Sequence, residues 1–201
     1  MTDSQPDTGP AIDPTDQARS EHYRFVARLL AHAPDAGLLR QIAQLQGDQT
    51  PMGCAFAALA RFADAADPQA ITREYFELFV GVGRGELLPY GSFYQTGFLN
   101  ERPLAELRED LRALGVARAA GRHEPEDHIA LLFEVMADIA AGQIALPLDV
   151  QSQFFNRHLA PWAGQFFDDL AVAPSAQFYR PLAEIGQLLI EIESRAFALA
   201  A

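Results

Sequence analysis

The stretch that decides the fold is residues 74–100, EYFELFVGVGRGELLPYGSFYQTGFLN. A helical pattern enters it from the N-terminal side and stops at Gly81. A glycine-rich run over residues 81–85 follows, and then PYGSFY at residues 89–94, which is dense in aromatic and turn-forming residues. Long segments without a helical period inside helix-rich chains are often functional. The stretch is therefore either a binding loop or a plain connection between helices.

The composition around this stretch is that of one soluble globular domain, because 49% of the 201 residues are hydrophobic and 21% are charged. No apolar run is long enough to span a bilayer, so we expect no stable membrane insertion. The N-terminus lacks the basic and apolar regions of a secretory signal. A single cysteine, Cys54, excludes an intramolecular disulfide and is expected to be a small core residue. These features predict a cytoplasmic protein.

The charge pattern narrows the class of partner. The net charge is -12, and all 15 basic residues are arginine. Without lysine, the chain cannot form a Schiff base or supply the lysine of a P-loop. An acidic surface is a poor match for nucleic acid, whose affinity comes mainly from neutralising phosphates. The charge therefore either favours a basic partner or simply keeps the protein soluble.

The chain on either side of the stretch predicts an all-α fold, a single globular bundle of about eight or nine helices. Helices are expected over 14–33, from about 36 to 46, over 51–66, from 68 to 80, over 103–114, over 124–141, from 147, from 161 and over 175–198. Asp13-Pro14, Thr50-Pro51 and Asp67-Pro68 each pair an N-cap residue with a first-turn proline. No alternation of period 2 persists, so no strand is expected.

Residues 1–13 are predicted to be a disordered tail, and residues 14–201 to form the helical domain, as two sub-bundles with a loop or hinge at about 81–102. Ile71, Tyr75, Leu78 and Phe79 share one helix face. Pro181 should either kink the last helix or mark its true start. Five aromatic residues are expected in the core: Phe154, Phe155, Trp162, Phe166 and Phe167.

The densest polar cluster is HEPEDH, residues 123–128. If Glu124 is the N-cap of a helix, Asp127 lies in the first turn, on the polar face shared with Glu134 and Asp138. His128 then turns towards the apolar face, and the plain interpretation is a capped helix start with a hydrogen-bonded, half-buried histidine.

A catalytic or metal site in this cluster has weak support. His123 with Asp127, and Glu124 with His128, have i, i+4 spacing, but a metal needs three or four convergent ligands. Ser92 lacks the strand–turn–helix context of a nucleophile elbow. The glycine run follows no strand, so it is not a dinucleotide fingerprint. We therefore predict neither catalytic residues nor a metal site, and keep a metal- or nucleotide-dependent helical enzyme using the Asp127/His128 region as the alternative.

Taken together, the motifs resemble those of the TorD/DmsD family of redox-enzyme maturation chaperones. They are Tyr75-x-x-Leu78-Phe79, the glycine-containing loop, PYGS at residues 89–92 with Tyr94, and EPEDH at residues 124–128. His158-x-x-x-Trp162-x-x-x-Phe166 also fits the C-terminal half of the family, so the resemblance covers about residues 20–198.

The resemblance implies a TorD-like, non-enzymatic chaperone that binds a molybdenum- or tungsten-containing oxidoreductase. The chaperone would bind the twin-arginine signal peptide and the immature body of that client, before the cofactor is inserted and the client is exported. The segment YQTGFL, residues 94–99, points to formate dehydrogenases as clients. The family also implies a monomer or a domain-swapped dimer, no bound cofactor, and weak guanine-nucleotide binding. A purely structural interaction bundle is the third hypothesis.

The resemblance carries the client-binding role onto ten residues of this chain. They are Tyr75, Leu78, Phe79, Pro89, Tyr90, Ser92, Tyr94, Glu124, Asp127 and His128. Many relatives have tryptophan where this chain has Tyr75 and Tyr90, so the client can differ.

The chemistry of the peptide fits these residue types. Two guanidinium groups followed by an apolar stretch call for carboxylates beside an aromatic groove. Glu124, Glu126 and Asp127 would supply the carboxylates, and His128 would orient the groove or sense pH. We expect residues 75–94 and the start of the Glu124 helix to form one surface, and Asp127→Ala to weaken peptide binding with little change in the unfolding midpoint.

Overall fold

The computed structural model describes residues 12–117 and 124–200, and these form a bundle of ten α-helices. The first five are α1 (Pro14–Ala31), α2 (Ala36–Ile42), α3 (Pro51–Asp64), α4 (Pro68–Tyr75) and α5 (Gly91–Thr96). The others are α6 (Arg102–Ala113), α7 (Ile129–Ala140), α8 (Leu148–His158), α9 (Ala163–Val172) and α10 (Tyr179–Ala200). The described residues contain no β-strand, so the all-α prediction is confirmed.

Side-chain caps begin the early helices where the sequence predicts them. In α1, Asp13 Oδ1 accepts a hydrogen bond from Thr15 N (2.8 Å). In α3, Thr50 Oγ1 accepts one from Gly53 N (3.0 Å). In α4, Asp67 Oδ1 accepts one from Gln69 N (3.1 Å). In each case a proline follows the cap, where a helix has no internal acceptor for an N–H. Local chemistry therefore fixes where α1, α3 and α4 begin.

The core is one continuous cluster of buried apolar side chains running from Tyr23 on α1 to Phe197 on α10. Helix α7 packs along α1, while α10 packs against α9 and α3. All five aromatic residues predicted for the core are buried. The predicted division into two sub-bundles with a hinge at 81–102 stays a prediction, and nearly all of the predicted tail at 1–13 lies outside the described residues.

Helix α4 continues into a π-helical turn, Phe76–Val80, and ends at Gly81 as predicted. Gly81 has a φ of 63° and donates from its N–H to Phe76 O (2.7 Å). The chain then folds back, because Glu86 N donates to Glu77 O (3.0 Å) and Leu87 N to Leu78 O (2.8 Å). The glycine run is thus a tight return loop pinned to the helix it follows.

Three predictions about elements were wrong. The part of the 74–100 stretch that follows Gly81 was expected to contain no helix, but it contains α5, which was not predicted. The last helix begins at Tyr179, not at Ser175, and Pro181 lies within its first turn, where no N–H is needed. Cys54 is exposed on the outer side of α3, and is not a core residue.

Candidate functional site

The two motifs that are distant in the sequence meet in the structure through backbone pairing. Gly91 N donates to Asp127 O and Ile129 N donates to Pro89 O, both at 2.9 Å, around an isolated antiparallel bridge between Tyr90 and His128. An extended backbone cannot be helical at the same time, so this pairing delays the helix. The prediction that the helix begins at residue 124 was therefore wrong, and α7 begins at Ile129.

His128 is the N-cap of α7, in the position predicted for Glu124. Its Nδ1 accepts from Ala130 N at 3.1 Å, and the residue is only 8% exposed. The side chain thus satisfies one of the N–H groups that a helix start leaves without an internal partner. The interpretation of a hydrogen-bonded, largely buried histidine at a helix start is supported, although the helix starts four residues later.

Asp127 lies beneath the surface, just before α7, and not on a polar helix face with Glu134 and Asp138. The residue is 2% exposed, and its Oδ2 accepts from Ser92 N at 2.7 Å. Its Oδ1 is buried and has no hydrogen-bond partner within the described residues. A buried carboxylate oxygen without a donor is costly, and such groups mark sites that a ligand or water completes.

The burial of Asp127 changes what its substitution should do. Asp127→Ala would remove the acceptor of the buried Ser92 N–H, which costs about 1–3 kcal/mol of folding free energy. We therefore expect Asp127→Ala to lower the unfolding midpoint, in place of the almost unchanged midpoint expected from the sequence. Asp127→Asn keeps a carbonyl oxygen for Ser92 N and changes only the charge, so it is the better probe.

Tyr90 joins the two halves of the site through its side chain as well as its backbone. Its hydroxyl donates a hydrogen bond to Glu124 Oε2, and its ring meets His128 edge-on with centroids 5.1 Å apart. Burial and the neighbouring Glu124 carboxylate raise the pKa of the Tyr90 hydroxyl above its usual range. The hydroxyl therefore remains a donor at neutral pH.

Tyr75 links α4 to the end of α1. Its hydroxyl donates to Ala31 O at 2.9 Å, at the C-terminal end of α1, and its ring packs on Phe79 with centroids 5.2 Å apart. Burial, with a smaller contribution from the charge of Glu124, raises the pKa of Tyr75 to about 12. The charge of Glu124 therefore acts on the hydroxyl of Tyr75 as well as on that of Tyr90.

We call Tyr75, Phe79, Tyr90, Glu124 and His128 the aromatic–carboxylate surface. The structure thus joins Tyr90 of the 74–100 stretch to His128 and Glu124, which precede α7, while the binding role of these residues stays a prediction. The fold positions them through the Tyr90–His128 bridge and through Tyr179 of α10, which underlies both Tyr75 and Phe79.

Four predicted site residues lie elsewhere. Leu78 and Ser92 are fully buried and Pro89 is buried, so they shape the site from below without reaching its surface. Tyr94 faces α9, where its hydroxyl donates to Asp169 Oδ2 (3.0 Å) and its ring stacks on Trp162. These four residues would affect a peptide only by supporting the residues above them.

Sequence reasoning missed three exposed apolar residues in the 74–100 stretch. Phe76 is 43%, Val80 50% and Val82 98% exposed. Phe76 and Val80 lie off the buried stripe that contains Tyr75 and Leu78, so the same helical wheel that found the stripe could have identified them as exposed.

The described residues also bear on the metal site and on membrane insertion. In residues 12–117 and 124–200, no group of three or more His, Cys, Asp or Glu side chains could hold a metal ion. His123, one of the residues in the suggested metal pairs, lies outside these ranges. Over the same ranges, no helix is long and apolar enough to cross a membrane.

The fold and the site together define an all-helical protein whose most distinctive surface is aromatic and acidic. A family model described as nitrate reductase delta subunit matches residues 45–168, more than half of the chain. The chain therefore belongs to the nitrate reductase delta subunit family, and the TorD/DmsD resemblance is confirmed.

Individual relatives agree with this assignment. The chain is 31% identical over 144 residues to the chaperone protein TorD of Vibrio cholerae serotype O1, covering 67% of this chain and 66% of TorD. It is also 31% identical over 117 residues to the probable Tat proofreading chaperone DmsD of Haemophilus influenzae, covering 57% and 56% of the two chains. The chain thus matches these relatives over 66% or less of their length.

A solved structure shares the fold. The crystal structure of an Archaeoglobus fulgidus protein, assigned as a redox enzyme maturation protein, superimposes with a TM-score of 0.59 at 18% identity. The superposition covers 93% of this chain and 99% of that one. At this identity the likeness concerns the architecture alone.

Proposed function

We propose that this protein is a cytoplasmic chaperone, not an enzyme. It binds the twin-arginine signal peptide and the immature body of a molybdenum- or tungsten-containing oxidoreductase. It thereby assists cofactor insertion and holds the client back from export until that step is complete. Membership of the family, and the similarity to the chaperone TorD and to the Tat proofreading chaperone DmsD, support the class of protein. A formate dehydrogenase client, weak guanine-nucleotide binding, and a monomer or domain-swapped dimer remain predictions.

The observation that carries the proposal is the placement of carboxylates among aromatic side chains. Glu124 is exposed and accepts a hydrogen bond from Tyr90, and its charge also acts on Tyr75. The buried Oδ1 of Asp127, which has no hydrogen-bond partner within the described residues, belongs to the residue just before His128. An arginine presents several N–H donors in a planar fork and stacks well on aromatic rings. Such a side chain would complete the hydrogen bonding of Asp127 while its face rests on a tyrosine.

Titration calorimetry with a synthetic twin-arginine signal peptide tests this arrangement. Glu124→Gln removes one charge from an exposed position, and we expect about tenfold weaker binding, because a charge-assisted hydrogen bond contributes about 1.5–3 kcal/mol. Asp127→Asn should weaken binding by a similar factor while keeping the Ser92 hydrogen bond. The matched control is Glu191→Gln, an exposed carboxylate far along α10 that pairs with Arg195.

The two variants separate the possible results. Unchanged affinity in both Glu124→Gln and Asp127→Asn would remove the carboxylates from the binding mechanism. An equal loss in Glu191→Gln would mean that net charge alone, and not this site, attracts the peptide. If the unmodified protein does not bind the peptide at all, the proposed function is wrong.

A further inference from the structure

The exposed carboxylate of Glu124 is held in place through both its side chain and its backbone. Its Oε2 accepts a hydrogen bond from the Tyr90 hydroxyl, and its backbone precedes Pro125, which disfavours a helical conformation at Glu124. Pro125 O accepts from His128 N at 3.1 Å, so residues 125–128 form a turn. An exposed glutamate ordinarily samples many rotamers, and ordering it on binding costs free energy. In Glu124 much of that ordering is present before a partner arrives.

The Tyr90 hydroxyl can act as a fixed donor because the rest of the residue is held by the fold. Tyr90 N donates to Leu88 O (2.8 Å), and Tyr90 O accepts from Tyr94 N (3.2 Å) at the start of α5. The backbone pairing around the Tyr90–His128 bridge adds two more hydrogen bonds, and the ring lies edge-on against His128. A tyrosine has only two side-chain torsions, so a ring held in this way leaves the hydroxyl little freedom.

Glu126 differs from Glu124, although the sequence suggested both as carboxylates for the peptide. Glu126 Oε2 accepts from Arg108 Nε at 2.8 Å and lies 2.7 Å from Arg108 Nη2, so this carboxylate is already paired with a guanidinium. Asp127 is buried and accepts from Ser92 N. Of the three carboxylates, Glu124 is therefore the most accessible to an arriving basic side chain.

An oriented carboxylate distinguishes arginine from lysine better than a mobile one does. A carboxylate accepts at about four positions on its two oxygens, so the Tyr90 hydrogen bond leaves acceptor positions on both oxygens of Glu124. A guanidinium uses two of them at once through its planar fork, and this match depends on the plane of the carboxylate. An ammonium group is a compact point charge with rotatable donors, so it requires no particular plane. Restricting the rotation of Glu124 therefore favours arginine and affects lysine little.

We propose that Tyr90 is a positioning residue, whose hydroxyl orients the carboxylate of Glu124 and thereby sets the preference of the site for arginine over lysine in the signal peptide. This inference rests on the proposed function and adds a source of specificity to it. The guanidinium of the peptide contacts Glu124, and Tyr90 acts through Glu124. The role belongs to the hydroxyl, so Tyr90→Phe removes it while keeping a ring against His128.

Two synthetic peptides that differ only in their pair of basic residues test this role. One has two adjacent arginines before an apolar stretch of about ten residues, a length typical of signal sequences, and the other has two lysines in their place. Titration calorimetry with both peptides is performed on the unmodified full chain, on Tyr90→Phe and on Tyr23→Phe. Tyr23→Phe is the matched control, because it also deletes a hydroxyl that donates to a glutamate, Glu193 Oε2 at 3.1 Å, but one that joins α1 to α10. A urea unfolding curve checks that each variant is folded.

The unmodified protein should bind the arginine peptide about tenfold more tightly than the lysine peptide, the difference expected from one bidentate charge-assisted pair. Tyr90→Phe should weaken binding of the arginine peptide about fivefold and change that of the lysine peptide less than about twofold, so that most of the preference is lost. Tyr23→Phe should keep the preference. In a Glu124→Gln background, Tyr90→Phe should have little further effect on the arginine peptide, because the charged acceptor that it positions is absent.

The results distinguish the role of Tyr90 from the proposed function. If the unmodified protein binds the two peptides equally, or if Tyr90→Phe weakens both by the same factor, Tyr90 does not set the preference and the proposed function stands. Tighter binding of the arginine peptide by Tyr90→Phe would mean that the hydroxyl competes with arginine for Glu124, which also overturns the positioning role. The same loss of preference in Tyr23→Phe would overturn it too. Failure of the unmodified protein to bind either peptide would overturn the proposed function and this inference together.

Discussion

Single side chains at the candidate site have structural roles beside any binding role. The Tyr75 hydroxyl donates to a carbonyl at the end of α1, and the Tyr90 hydroxyl donates to Glu124. A tryptophan at either position would have its single donor at a different place on its ring system. The tyrosines therefore supply hydrogen bonds to α1 and to the 124–128 segment that a tryptophan could not make in the same geometry.

A histidine outside the aromatic–carboxylate surface makes stability depend on pH. His158 is 5% exposed, its Nε2 lies 2.7 Å from Asp110 Oδ2, and Arg157 and Glu106 are the other charges near it. Burial lowers the pKa of His158 below 6.5, and this outweighs the opposing effect of Asp110. The folded state therefore prefers the neutral ring, and its stability should decrease as the pH falls below 6.5 and level off below the lowered pKa.

His158→Gln tests this assignment, because glutamine can still donate to Asp110 but does not titrate. Urea midpoints are compared at about pH 7.5 and about pH 5.5, where the unfolded histidine is mainly neutral and mainly charged. The unmodified protein should lose more stability than the variant between these two values. Equal losses would assign the pH dependence to other groups.

At the scale of helices, a carboxylate on α4 forms the cap of α10. Glu74 is 8% exposed and accepts from three backbone N–H groups at the start of α10, Gln177 N (2.8 Å), Tyr179 N (2.9 Å) and Phe178 N (3.2 Å). A negative charge there also interacts favourably with the positive end of the helix dipole. Glu74 thus fixes Tyr179, on which Tyr75 and Phe79 pack.

We expect Glu74→Ala to lower the free energy of unfolding by about 2–4 kcal/mol, because several helix-start donors would lose their acceptor together. The measurement is a urea unfolding curve. Its midpoint should fall, while the slope of the free energy of unfolding against urea concentration should not change. Glu77→Ala, an exposed carboxylate three residues further along, should stay within about 0.5 kcal/mol of the unmodified protein. Similar losses in both variants would contradict the capping role.

Helix starts were predictable where the signal is local, as at α1, α3 and α4, because a cap and a proline act on their own neighbours. The start of α7 could not be predicted in this way, because the hydrogen bonds that delay it involve residues 89–91, more than 30 positions earlier in the chain. Helix α5 has only six residues, too few to show a period. The helical period indicated the buried face that contains Leu78, but the burial of Asp127 and Ser92 depends on tertiary packing.

At the scale of the whole molecule, the first and last helices are joined by a buried charge pair. Arg19 on α1 makes two hydrogen bonds of 2.8 Å to Glu193 on α10, which is 1% exposed and also accepts from Tyr23. This pairing neutralises one of the carboxylates inside the molecule. Among the described acidic residues only Glu74, Asp127 and Glu193 are buried, so the net charge of -12 lies mainly at the surface, where it acts on partners in solution.

That surface charge predicts how fast a basic peptide arrives. An acidic protein attracts a twin-arginine peptide over a distance set by ionic screening, about 10 Å at 0.1 M salt and about 30 Å at 0.01 M. The association rate measured by stopped flow should therefore fall about tenfold between about 10 mM and about 500 mM salt, while the dissociation rate changes less, because apolar contacts are little affected by screening. A peptide with both arginines replaced by glutamine provides the control, since its association rate should hardly depend on salt. A salt-independent association rate for the arginine peptide would mean that the charge serves solubility and has no part in recognition.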